Sequence, residues 1–309
     1  MKDDSTRVQM QEVTDVSAIS DADHAMRHWQ GAESGRIAIG SDAHRRLFCR
    51  MLLDTHNPYK PAVMMWPKLA PDALQRITSL PIWDIAVQTE GRAMLRARTY
   101  ADTVRDPLLH EALAMDAGEE ARHKVVLSHL VESYGIALEP EPEYEVPEDP
   151  EWDWLVTGYS ECIDSFFGFG LFESAKRTGY FPTELVETFE PVIQEEARHI
   201  LFFVNWVAWY RRQLPWWRRP LFRLRVLRVW AFLVWERIGI AKGLDSKGQV
   251  QDANFALSGG KQIDDQLKVG ELLHLCLIEN DRRMAGYDQR LLRPTFVPRM
   301  ARLARLFLH

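Results

Sequence analysis

Cysteine is scarce in this chain of 309 residues. Cys49, Cys162 and Cys276 are odd in number, far apart, and form no Cys-x-x-Cys pair. That excludes a disulfide framework, a zinc ribbon and a rubredoxin-type iron site, and it suits a reducing compartment. Glycine (17) and proline (16) are too few for a fibrous or low-complexity chain. Strand signals are nearly missing, with no Asn-Gly hairpin and no sustained alternation of apolar and polar residues. The longest strongly apolar run, Val229 to Trp235, falls far short of the roughly 20 residues a membrane-crossing helix needs. The opening residues hold no apolar segment of the kind that marks a secretory signal, so a cytoplasmic location is expected.

What is present describes a soluble globular chain: 46% of residues are apolar and 27% charged, and 11 Trp with 14 Phe predict a bulky interior. The net charge of −6 is unevenly spread. Leu138 to Asp153 is acidic without a single Lys or Arg. Trp206 to Lys242 is basic apart from Glu236. Arg290, Arg293, Arg299, Arg302 and Arg305 face only Asp288 after Gly286. Such imbalance bears on partners rather than on fold.

Helical periodicity dominates. Residues 1 to about 16 read as a polar tail, and 17–30 and 42–54 as short helices, the second broken by His56-Asn57-Pro58. Four long helices are expected over Pro81–Val104, Pro107–Tyr134, Glu151–Thr178 and Thr183–Gln213, with further helices after Pro215. A Pro- and Glu-rich stretch, Gly135 to Pro150, separates the two pairs. The predicted class is all-α: a four-helix bundle over 81–213 with one long crossover. Residues 1–80 and 214–309 would pack on it as extensions of the same domain.

One pentapeptide occurs twice, Glu119-Glu120-Ala121-Arg122-His123 and Glu195-Glu196-Ala197-Arg198-His199, each in the second helix of a pair. Residues i and i+3 share a helix face, so Glu120 with His123, and Glu196 with His199, can each grip one ion. Both pairs sit on apolar stripes: Leu109, Leu113, Leu127 and Leu130 in one helix, Leu185, Phe189, Val192, Phe203 and Trp206 in the other. Buried carboxylates need compensation, which a metal or a cross-helix salt-bridge network would supply. The other two helices offer Glu90, thirty residues before Glu120, and Glu161, thirty-five before Glu196. Glu173 is a rival to Glu161, placed closer to the Gly179 turn. The remaining histidines, His56 among them, read as surface or satisfied structural groups. Glu279-Asn280-Asp281-Arg282-Arg283 reads as a solvated helix turn.

The constellation Glu90, Glu120-x-x-His123, Glu161, Glu196-x-x-His199 resembles the ferritin-like non-haem di-iron carboxylate proteins. Its fuller form, acid-Glu-x-Arg-His twice, is similar to the branch of soluble bacterial multicomponent monooxygenases and acyl-carrier-protein desaturases. The resemblance covers about Pro81 to Gln213. It implies six metal ligands (Glu90, Glu120, His123, Glu161, Glu196, His199), two irons or a manganese–iron pair, and O2 as co-substrate. It further implies that Glu119 and Glu195 orient His199 and His123 across the bundle, with Arg122 and Arg198 pairing those acids. Ser165, one turn after Glu161, falls where such enzymes place a hydroxyl near the oxygen pocket. Phe166-Phe167-Gly168-Phe169-Gly170 follows, and mid-helix glycines could let the backbone widen or a substrate approach. Leu127 stands where radical-forming ribonucleotide reductase subunits carry Tyr, which argues against that role.

The expected activity is hydroxylation, desaturation or N-oxygenation of an apolar or acyl-type substrate. An iron store or peroxide-scavenging protein, and a non-catalytic helical binder with a salt-bridged core, remain as alternatives. For the basic, Trp-rich stretch Tyr210 to Arg219, and the 206–228 surface around it, four readings stay open. These are a core-covering surface of snorkelling side chains, peripheral contact with the inner membrane surface, a dock for an acidic electron-donor protein, and tRNA binding for a tRNA-modifying hydroxylase. The overall acidity argues against nucleic acid. A dimer is compatible with all of this.

Overall fold

A computed structural model of the chain describes residues 16–61, 66–241 and 268–307. Nearly all of the polar tail read over residues 1 to 16 lies outside these. Among the described residues there are ten α-helices and no strand: α1 Val16–Arg27, α2 Asp42–Asp54, α3 Pro71–Thr78, α4 Trp83–Ala101, α5 Pro107–Ser133, α6 Pro150–Thr178, α7 Thr183–Gln213, α8 Arg219–Ala241, α9 Val269–Met284 and α10 Phe296–Arg305.

The ends of the long helices follow from local chemistry. The Asp106 carboxylate accepts from Leu109 N (2.9 Å), and Pro107 fills the first turn of α5, where its missing N–H costs nothing. Asp149 and Pro150 repeat the device at α6, with Asp149 accepting from Trp152 N (3.1 Å). Gly179 ends α6 in the left-handed region at φ +65°. Pro191 lies inside α7 and removes one i→i−4 hydrogen bond. The helix continues past it because Val186, Val192 and Ala197 are held in the core.

α4 packs on α5, α6 on α7 and α4 on α6, while α2 wedges against both α5 and α7. The space between the four long helices has three zones. Tyr100, Trp154, Phe203 and Trp206 fill one end, with Tyr100 and Trp154 stacked at 5.8 Å and Trp206 edge-on to both. Phe203 lies so close to α6 that a Cβ at Gly158 would meet its ring at 2.2 Å, so only glycine fits there. Acidic and histidine side chains occupy the middle. The other end is a cavity. α8, α9 and α10 pack on the outside of α6.

Two expectations fail. α3 had not been foreseen: its eight residues bury only Ala73 and Ile77, too few positions to show a period. The run Glu279 to Arg283 is not a solvated turn. Glu279, Asn280 and Arg283 are buried, because α9 presses this face onto α6 and α7 and Arg283 finds Glu190 there (3.1 Å).

Candidate metal centre

The repeated pentapeptides lie mid-helix on α5 and α7, and their inward faces meet. Donor atoms of Glu90, Glu120, His123 and Glu196, from three helices, all fall within 4.8 Å of one another. His123 Nδ1 is 3.5 Å from Glu90 Oε2 and 3.3 Å from Glu196 Oε1. His199 Nδ1 is 2.8 Å from Glu120 Oε1. Glu161 lines the same cavity as Glu90, Glu120 and Glu196, and its carboxyl feels the charges of Asp116, Glu196, His199 and Glu90. Its rival Glu173 pairs with Arg177 (2.7 Å) and is not part of the cavity wall.

Behind these groups the four flanking residues of the repeats cross over. Glu195 of one copy takes His123 Nε2 of the other at 2.8 Å, and Glu119 takes His199 Nε2 at 2.8 Å. Arg122 donates to Glu195 (2.5 Å), and Arg198 Nη1 donates to both oxygens of Glu119 (2.9 Å). A carboxylate on Nε2 fixes each ring so that Nδ1 points inward, the orientation a ligating imidazole needs. Ser165 donates to Glu196 Oε2 (3.2 Å) and lines the cavity. Of the two mid-helix glycines, Gly168 opens on empty space in the cavity wall. Gly170 instead admits Cys276 of α9.

The end of α2 completes this outer layer. The last carbonyls of a helix lack internal partners. Leu52 O takes Arg198 Nη2 at 2.5 Å, and Thr55 Oγ1 takes Arg198 Nε at 2.7 Å. Asn57 O takes Arg122 Nη1 (2.8 Å), and His56 Nδ1 meets Glu119 Oε1 at 2.6 Å. Sequence reasoning gave neither His56 nor Asn57 a part in the site: Asn57 was read only within a helix break, and His56 there and as a surface or satisfied structural histidine. It also missed Asp116, a buried acid with an unpartnered oxygen, 3.9 Å from His199 Nε2. Asp116 stands one turn before Glu120 on the same apolar stripe, so the i−4 position was the signal.

The inner and outer layers differ in satisfaction. Each outer acid has hydrogen-bonded cations, and Arg198 and His199 hold Glu119 well below the ordinary carboxylate range although burial opposes this. Inside, Glu120 Oε1, His123 Nδ1 and His199 Nδ1 are buried without a hydrogen-bond partner. His199 Nδ1 and Glu120 Oε1 stand within ion-pair range of each other. Burial first, then the neighbouring Glu90 and Glu196, push Glu120 well up. Burial with Asp116 and Glu196 does the same to Glu161, and burial lifts Asp116 to about 6. Burial favours neutral imidazoles, yet the carboxylates around His123 and His199 outweigh it and raise both. Protons thus stand where a cation would reduce the same repulsion. Two donors about 2.1 Å from one ion at right angles stand about 3 Å apart, so the His199–Glu120 and His123–Glu196 separations suit shared ions. A set of carboxylates and imidazoles without thiolate suits iron(II) or manganese(II).

The cavity beside this cluster measures about 260 Å³. Trp83, Leu127, Phe181, Leu185 and Phe189 form its apolar wall, and Arg92, Arg96, Thr157 and Ser160 supply a polar edge on α4 and α6. It is an apolar pocket whose floor is a row of carboxylates.

Comparison of the chain with protein-family models, with curated proteins and with solved structures finds no match.

Proposed function

We propose that this protein is a non-haem di-iron oxidoreductase of ferritin-like four-helix architecture, α4–α5 and α6–α7 being its two helix pairs. In this reading it uses O2 to oxidise an apolar or acyl-type substrate. Glu90, Glu120, His123, Glu161, Glu196 and His199 would hold two irons. Bound there, the metals would supply the redox chemistry that no side chain can: reduction of O2 by electrons from a donor, and oxidation of a C–H bond or heteroatom.

The protein's own part is positional. Glu119 and Glu195 hold the imidazoles with Nδ1 inward, while Arg198 and Arg122 hydrogen-bond those acids from behind. Ser165 fixes one Glu196 oxygen. Phe181, Leu185 and Phe189 keep water from the carboxylates and present an apolar substrate to them.

The observation that carries this reading is the inward-facing set Glu120 Oε1, His123 Nδ1 and His199 Nδ1, buried without a hydrogen bond inside an outer layer whose two acids, Glu119 and Glu195, are both hydrogen-bonded to an arginine and a histidine. A salt-bridge core without metal would match its acids with as many cations, whereas these carboxylates meet only two imidazoles. Elemental analysis of protein produced in iron-supplemented medium tests it. Two irons per chain are expected, lost in Glu120→Ala. Traces of metal only, or unchanged content in that variant, overturn the assignment, and many irons per chain would mean storage.

A further inference from the structure

Helix α8 is apolar on both of its sides. Phe222, Val229 and Leu233 are buried beneath it. Leu221, Leu224, Leu227, Val234 and Trp235 are exposed, Leu227 and Trp235 to 64% each. Their spacing places all five on one face, with Arg223 and Arg228 at its margins. The outer side of a surface helix is normally polar, and among the described residues nothing covers this face. α10 repeats the pattern. Phe296, Met300 and Leu303, then Leu306 and Phe307 beyond its end, are exposed, with Arg299 and Arg302 beside them. The Trp230 and Phe296 rings meet at 4.5 Å and join the two faces. At the entry to α8, Trp216 is 79% exposed, and the Arg218 guanidinium lies over the Trp217 ring at 4.8 Å.

Acids are few around this surface. Glu236 of α8 is half-buried near Arg237, Asp149 and Glu151 are held by Arg225, and Asp281 faces Arg302 at 3.6 Å. An arginine-bordered apolar face therefore stands on a chain whose net charge is −6. A second copy is a poor occupant, because a symmetric pairing would bring two arginine-bordered faces together with few acids to match them. Anionic lipid suits them. Long cationic side chains reach headgroups while Leu, Phe and Trp enter the acyl boundary. No helix among the described residues is long and apolar enough to cross a membrane, so the helices would lie in the surface plane.

We propose that the outer faces of α8 and α10 dock the protein on an anionic membrane surface, whatever the interior site does. Co-sedimentation of the full chain with vesicles tests this, using phosphatidylcholine alone and phosphatidylcholine with a quarter phosphatidylglycerol. Binding to the anionic vesicles at least about tenfold tighter is expected, weakening with salt. Arg223→Ala and Arg228→Ala should each lower it about fivefold. Leu224→Glu with Leu227→Glu should abolish it. Val146→Glu, at an exposed valine in the acidic crossover, should leave it unchanged. All these sites are exposed, and circular dichroism will report that the variants fold. Equal or absent binding to the anionic vesicles, or binding indifferent to the leucine pair, overturns the proposal. So does a wild-type dimer without vesicle binding that the leucine pair makes monomeric, which would give the face to a second copy.

Discussion

Helix α7 carries two buried charge clusters on different faces, and they are built on opposite principles. At Glu190, cations match acids. Arg283 binds both of its oxygens (3.1 Å each), Arg27 adds a contact at 3.4 Å, and Arg282 and Arg283 also serve Glu279. Although burial opposes it, Arg283 holds the Glu190 carboxyl below its ordinary range. At Glu196, six residues on, the carboxyls of Glu90, Glu120, Glu161, Glu196 and Asp116 crowd around two imidazoles. Arg122 and Arg198 are committed to Glu195 and Glu119. Burial alone does not mark a metal site, since both clusters are buried. Excess charge of one sign separates them. The first cluster is complete as protein, and the second needs protons or metal ions to be tolerable.

The largest effect should come from the layer that joins the two kinds of chemistry. Arg198 is wholly buried and ties Glu119, Thr55 and the Leu52 carbonyl together. Arg198→Met strands Glu119 beside His199 and should cost about 3–5 kcal/mol in denaturant unfolding of the metal-free protein. A loss under about 1 kcal/mol would mean that the outer layer is not the satisfied framework described above.

Much of this was legible in advance, for reasons that also set the limit. The four long helices announce themselves through Asp106-Pro107, Asp149-Pro150 and Gly179, signals that act within a few residues. The crossed pairs Glu119–His199 and Glu195–His123 were what the resemblance carried by one pentapeptide written twice implied. The contacts of α2 did not. Thr55 and Arg198 are 143 positions apart, and His56 lies in a loop with no period to read. The burial of Glu279 and Arg283 was hidden for the same reason: a charged run looks solvated until the element that covers it is known. Asp116 was on the right stripe and was passed over only because a lone Asp there has no repeat to point at it.

The next test sets the clusters against each other with one chemical change. Glu190→Gln leaves Arg283 buried with a neutral partner, and unfolding should show a loss of about 2–3 kcal/mol, softened because Glu190 is 19% exposed. Glu120→Gln, nearly isosteric, removes the cost of burying a carboxyl that must take up a proton beside Glu90 and Glu196, so the metal-free protein should gain about 1 kcal/mol. Loaded with metal, the same variant should lose stability as binding weakens. If both substitutions destabilise the metal-free chain, the inner cluster is an ordinary ion-pair network.

The smallest effect is a slope with pH, and its sign carries the information. Folding raises the affinity of Glu120, Glu161, Asp116, His123 and His199 for protons. Above the ordinary carboxylate range the folded metal-free protein therefore binds more protons than the unfolded chain, and its stability falls as pH rises. His44, kept neutral by burial despite its bond to Asn205, works the other way, one group against five. Glu119, Glu196 and Glu190 are lowered, so their contribution is lost only on further acidification. Metal ions displace the inner protons, and with metal bound the slope should reverse, because deprotonated ligands hold the ions more tightly. Thermal midpoints at about pH 6 and about pH 8, with chelator and with excess iron(II) under anaerobic conditions, read both slopes. Chelated protein should melt higher at the lower pH and loaded protein higher at the upper. Slopes of the same sign would mean that the protons and the metal do not compete for the same atoms.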